Sequence, residues 1–417
     1  MLLIPAPIPS HSEQREIRSM VLSTINPFSV KNIKKRLDLN NDGSIDAKDI
    51  KAVFSREEST QEQTLTPKEF VTARAKVAWS KLEPKLVYLS VQVQKRERVS
   101  RHWVRSRLPF GQDRRVNAII EQLANLFSDR ELNMLRTEYI AQVGKINKLE
   151  NRLADTTASI AMQEESAKAK YEKLASKLSN SIDKESQRRD ISLDSFRQRM
   201  NAYGVDLSNE QAEVLLSRID SGDVTRMATI FAVISAMTRQ FESAKQLSGE
   251  NLSVTKKYYG IYIGLLELQI HIQSTYIDKI DQQYLPGVAK IGQEAVDLIA
   301  ETKSKLKSND GPHSEHYSQN IASQKFTLEV TEIYSAALRA DRNNVAQAKA
   351  MVEKLHDLAQ NTLSTVRVSA DLTNLVRQAE GMYQEVMSLQ TPALAPFENL
   401  QLKKEFEAVT SRLQSTP

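Results

Sequence analysis

The chemistry this chain could carry is concentrated in twelve residues near its start. They read Asp38-Leu39-Asn40-Asn41-Asp42-Gly43-Ser44-Ile45-Asp46-Ala47-Lys48-Asp49. Counted from Asp38, oxygen-bearing side chains fall at positions 1, 3, 5, 7, 9 and 12, with glycine at 6 and an aliphatic residue at 8. A calcium ion takes six to eight oxygens at about 2.3 to 2.6 Å, and a short loop surrounds it only if ligands alternate inward around a sharp turn. Gly43 would make that turn, and Ile45 would pin the loop to a core. The bland alternative is a solvated Asn/Asp/Gly turn between helices, although a turn does not need all six ligand positions filled.

This stretch resembles the EF-hand calcium loop, and with Asp49 where glutamate is usual it is particularly similar to the loops of dockerin modules. The resemblance covers the loop and its flanks, Val30 to Leu37 and Ala47 to Phe54, which have helix-compatible patterns. It implies a calcium site in which Asp38, Asn40, Asp42 and Asp49 give side-chain oxygens, Ser44 its backbone carbonyl, and Asp46 a ligand directly or through water. EF-hands usually pair. The second candidate here, Glu58 to Glu69, has Gln63 where glycine belongs. A capping box, Thr66 to Glu69 with Pro67 at the first helical position, explains that stretch better.

A second feature is electrostatic. Lys95 to Arg115 holds eight Lys/Arg against Glu97 and Asp113, a net +6 beside +5 for the whole protein. The basic character is therefore local. Lys95, Arg96, Arg98, Arg101, Arg105 and Arg107 could face an anionic lipid surface, a nucleic-acid backbone or an acidic protein. Equally they could be a solvated helix end whose cations favour the C-terminal dipole.

Catalytic patterns are poor. There is no cysteine, which excludes disulfides, thiolate metal sites and cysteine nucleophiles. Glu353 and His356 have the Glu-x-x-His spacing of di-iron bundles, without the second copy such sites need, and read as a surface pair. His313-Ser314-Glu315-His316 reads as a mobile polar loop able to bind metal only adventitiously. We find no phosphate loop, nucleophile elbow or His-Glu-x-x-His, and expect no enzyme.

The elements that must position these features are helices. Only 12 glycines and 12 prolines punctuate 417 residues, and no alternating β pattern is sustained. Leu132, Tyr139, Ile146, Leu153, Ile160, Ala167 and Leu174 recur every seven residues, with Leu135 and Leu149 filling alternate d positions, a coiled-coil signal with a mixed polar seam. Read as one helix, Glu131 to Ala202 would be roughly 100 Å long and would need a partner helix. Tyr203-Gly204 ends it, and Ser208 caps the next helix. Asp220 to Asp223 is a further break, Leu285-Pro286-Gly287 a kink, Ala340-Asp341 a possible joint, and a last helix runs from about Pro396 to Leu413. The most apolar stretches, Met227 to Met237 and Tyr258 to Ile272, are shorter than the about 20 apolar residues of a spanning helix and read as buried core.

The sequence thus predicts an all-α protein of long antiparallel and coiled-coil helices, with divisions at 1–65, 66–203 and 204–417. Met1 to Ser10 has no basic start, and Pro5, Pro7 and Pro9 break its apolar run. We therefore expect no signal peptide and a cytoplasmic location, with export by an uncleaved route left open. The expected role is a calcium-binding scaffold meeting a protein partner, or a second copy of itself, through coiled-coil helices. The rivals are a helical pore-forming protein and a nucleic-acid-associated coiled coil.

Overall fold

A computed structural model describes residues 66–101, 110–162, 165–248, 252–308, 314–365 and 397–415. The chain divides into two units, Met1–Thr66 and Pro67–Pro417, and all of the described helices belong to the second. Among the described residues that unit is all-α, with ten α-helices and no strand. They are α1 (Pro67–Arg101), α2 (Phe110–Phe127), α3 (Arg130–Met162), α4 (Glu165–Ala202), α5 (Asn209–Leu216), α6 (Ser221–Ser248), α7 (Leu252–Lys279), α8 (Leu285–Ser308), α9 (Ser314–Thr365) and α10 (Leu400–Ser415).

Local chemistry sets the boundaries. Proline opens α1, where a missing N–H costs nothing. Asp129 caps α3, its Oδ1 accepting the N–H groups of Glu131 at 2.9 Å and Leu132 at 3.1 Å. Helix α4 ends in a Schellman motif: Val205 N–H donates to the Met200 carbonyl and Gly204 N–H to that of Asn201. The motif demands left-handed backbone, and Gly204 has φ +82°. Ser208 and Gln211 form the capping box that starts α5. Before Pro286, which cannot donate to the carbonyl four residues back, the chain widens into a π turn over Ile280–Tyr284. The last helix begins later than expected because Asn399 accepts the Leu402 N–H at 2.8 Å.

Two expectations are corrected. The seven-residue series does not form one rod from Glu131 to Ala202; α3 and α4 fold back on each other as a hairpin. The pairs Arg199–Glu131 at 3.2 Å and Lys145–Glu185 at 3.9 Å fix their antiparallel register. The partner that the apolar stripe requires is therefore the next helix, which satisfies the seam locally. Nor is there a joint at Ala340-Asp341, because α9 runs unbroken through it for 52 residues. Asp341 sits there as a buried ion-pair partner instead of opening a turn.

The core lies around α7, which packs on α1, α2, α6 and α9. Tyr259, Ile261, Ile263, Leu265 and Leu268 are all buried, so over this stretch α7 is apolar on nearly every side, as a helix enclosed by others must be. Met227, Ile230, Phe231, Ile234 and Met237 of α6 are likewise buried. Both stretches are thus core, as their length indicated. Around them α1 presents one stripe, with Leu82, Leu86, Leu89 and Val93 at helical spacing and each 0% exposed.

Candidate functional site

The calcium-loop candidates Asp38, Asn40, Asp42, Ser44, Asp46 and Asp49 lie outside the described residues. Lys95, Arg96, Arg98 and Arg101 fall in the last turns of α1, while Arg105 and Arg107 lie outside the described residues. Among the described residues no group of three His, Asp or Glu side chains could hold a metal ion. What the structure brings together instead are ionisable clusters at helix junctions.

The deepest surrounds Arg218, in the turn between α5 and α6. Its guanidinium grips Asp220 with two bonds, Nε to Oδ1 at 2.9 Å and Nη2 to Oδ2 at 2.7 Å, and pairs with Asp341 of α9. Tyr276 of α7 donates to Asp220 at 2.7 Å. The Ile219 N–H donates to the hydroxyl of Tyr334, which meets Thr410 of α10 at 3.0 Å. Three helices, α7, α9 and α10, thus converge on one turn. Burial alone would lower the Arg218 pKa, but the two carboxylates lift it well above its ordinary value. Burial raises the pKa of Asp341, against the opposing pull of Arg218.

A second cluster ties the hairpin's base to α1. Asp129 accepts from Arg199 at 2.9 Å and from Tyr203 at 2.6 Å, and pairs with Arg74 at 3.3 Å. Burial would raise this carboxyl, yet Arg74 and Arg199, with the Tyr203 hydroxyl and the Leu132 N–H, outweigh it and hold its pKa below the ordinary carboxylate value. Phe70 and Tyr203 pack edge to face beside it, and the Arg199 guanidinium lies 4.8 Å from the Phe70 ring centre.

Two Glu–His contacts flank α7. His271 meets Glu121 of α2 at 3.1 Å, and Glu121 also accepts from Arg226 of α6 at 3.1 Å. Glu267, one turn before His271, meets His356 of α9 at 3.2 Å. The surface-pair expectation for Glu353 and His356 is therefore corrected. His356 is buried and faces another helix, while Glu353 pairs with Lys349 at 2.8 Å on its own helix.

The hairpin differs in kind. Leu132 and Tyr139 are buried in the main core, Ile146 is buried as well, and Lys404 of α10 reaches Glu150 at 2.9 Å. Toward the tip the seam opens. Leu149, Leu153 and Ile160 are only half-buried and Leu174 is 39% exposed, while the buried positions here are Leu178 of α4 and the polar Thr156.

Sequence reasoning missed Arg218, Asp220, Asp341, Asp129, Arg199, Glu121 and His271 as structural partners. Asp220 was legible only as part of a break. Asp129 and Arg199 stand 70 residues apart, and no local spacing signals such a pair. No protein-family model, no curated protein and no solved structure matches the chain.

Proposed function

We propose that the protein is a non-enzymatic helical interaction protein whose α3–α4 hairpin is the arm offered to a partner helix. The observation that carries this is the seam itself, closed at the base by Leu132, Tyr139 and Ile146 and left half-open at Leu153, Ile160 and Leu174. Two helices cannot enclose apolar residues on the flanks of their own seam, whereas a third helix laid along it would. The occupant is a helix from another protein or from a second copy of this chain. Nothing in the ionisable clusters pairs a nucleophile with a base, and their charged groups are spent on each other.

Leu153→Asp with Leu174→Asp tests the reading in the full chain. Self-association by sedimentation, or capture of a partner, is expected to be lost while the helical circular dichroism is retained. Association that survives both changes overturns it. Calcium belongs to the same proposal through the sequence pattern of Asp38 to Asp49. Calorimetry on the full chain is expected to show binding at roughly 10⁻⁵ to 10⁻³ M, abolished by Asp38→Ala and Asp42→Ala. The same heat in both variants would reduce the loop to a turn.

One observation favours a second reading, membrane activity. The two most apolar helices, α6 and α7, are consecutive, pack on each other and are held by Arg226–Glu121, His271–Glu121 and Lys279–Asp223. Release of those contacts would expose a continuous apolar pair. No described helix is long and apolar enough to cross a membrane, so the pair would have to insert jointly or in part. Dye-filled liposomes at neutral and acid pH decide it, since intact vesicles under both conditions remove this reading.

A further inference from the structure

Between α2, α3 and the first turns of α6 lies a cavity of about 520 Å³ lined by three arginines, Arg130, Arg136 and Arg226. Arg136 is the unusual one. Its hydrogen bonds to described residues are long, to Ser221 Oγ at 3.4 Å and Asn133 Oδ1 at 3.3 Å, and its Nε is shielded from solvent without a partner. The nearest opposing charge, Asp223, is already engaged by Lys279 at 2.6 Å and Tyr284 at 2.5 Å. Burial accordingly depresses the Arg136 pKa, with Asp223 and Tyr284 opposing.

The guanidinium also lies against Gly222, where an added Cβ would stand 3.2 Å from Arg136 Cζ. That is the first turn of α6, the positive end of a helix dipole, where an anion is favoured and a cation is not. Arg226 shares the defect, since its Nε is shielded and unpartnered while Nη2 is bound to Glu121. Arg130 is exposed at the mouth and makes no ion pair with any described residue. Among the described residues the one carboxylate in the lining, Asp129, is saturated by Arg74, Arg199 and Tyr203. A half-buried guanidinium without a direct carboxylate partner, as at Arg136, is costly, and three arginines lining one open space have the geometry of an anion receptor.

We propose that this cavity binds a phosphate monoester, with Arg136, Arg226 and Arg130 as the receptors of its oxygens. A phosphate presents enough acceptors for three forks arriving from two helices, α3 and α6, and the cavity exceeds a bare ion, leaving room for the group that carries it. Thr225 and Ser128 line the same space and already donate to backbone carbonyls, so their free lone pairs would accept from ligand hydroxyls. The ligand class is therefore a phosphorylated polyol, met either as a free sugar phosphate or as the headgroup of a phosphoinositide.

The test uses the full chain. A hexose phosphate at millimolar concentration is expected to raise the melting temperature and give calorimetric heat, whereas the hexose, or sodium chloride at equal ionic strength, gives neither. Vesicles containing phosphatidylinositol phosphate, beside phosphatidylcholine vesicles, distinguish the lipid source from the free one. Arg136→Met is expected to weaken binding about tenfold or more. Because it removes a half-buried charge with no direct carboxylate partner, it should leave the unliganded protein at least as stable. Arg130→Gln, at an exposed position, should weaken binding without bearing on the fold. Absence of binding to both phosphate sources, an equal response to chloride, or unchanged affinity in both variants would overturn the proposal.

Discussion

The bundle around α7 and the α3–α4 hairpin are both built from α-helices, yet they solve the burial problem in different ways. In the bundle each central helix is surrounded, so nearly every side of α7 is apolar and the few charged groups it meets are paired. In the hairpin each helix has one neighbour along most of its length, so only a stripe can be apolar and even that stripe is partly wet toward the tip. Stability therefore resides in the bundle. The hairpin is an appendage whose base is anchored by Asp129, Arg199 and Arg74. Local opening should follow the same division, since regions with few buried contacts open at low free energy.

The largest expected effect is at Arg218. Replacement by methionine keeps the volume but leaves Asp220 and Asp341 facing each other without their shared cation, and breaking a buried pair in this way costs about 3 to 5 kcal/mol. Chemical denaturation measures it. A loss below about 1 kcal/mol would mean that the junction is an ornament of the bundle and not its keystone.

Matched truncations contrast the two regions next. Phe231→Ala, at a fully buried position of α6, should cost about 3 to 5 kcal/mol, the usual range for a core phenylalanine. Leu153→Ala on the half-buried seam should cost about 1 kcal/mol, because much of its surface is already in water. Equal costs would erase the distinction between closed and open packing.

The two regions should also answer pH with opposite sign. Asp129 has a lowered pKa in the folded state, so its stabilisation is full above its ordinary value and is lost as pH falls through the folded value. Asp341 has a raised one, so the folded state holds its proton more tightly than the unfolded chain does. Its contribution is fullest at acid pH and fades as pH rises through the range above the ordinary carboxylate value. Melting temperature against pH should therefore lose acid sensitivity in Asp129→Asn and lose the opposing slope in Asp341→Asn. Parallel curves for the two variants would show that neither carboxyl is tuned in this way.

The smallest effect is kinetic. Amide exchange at Leu153 to Met162 should run faster than at Tyr259 to Leu268, without any change in overall stability. Comparable protection would indicate that something already covers the hairpin tip in solution.

Helical class, the cap at Ser208, proline at the first position of α1, the break at Gly204 and the coiled-coil stripe were all legible in the chain, because each depends on residues within a turn or two of one another. The buried fate of Met227 to Met237 and Tyr258 to Ile272 was legible too, from apolarity on all sides over less than a membrane's thickness. Where the stripe would find its partner was not. A heptad pattern specifies that a helix needs a neighbour, but whether α4 folds back along α3 depends on the tertiary pairing of Arg199 with Glu131 and Asp129. The same holds for Asp341, which reads as a joint in sequence and becomes a core ligand of Arg218 from 123 residues away. His356 likewise reads as a surface residue until Glu267 is brought beside it. Local periodicity encodes which face of a helix must leave water; which groups share that dry space is decided only when distant helices meet, and there a charge keeps its place because its counterpart is already fixed.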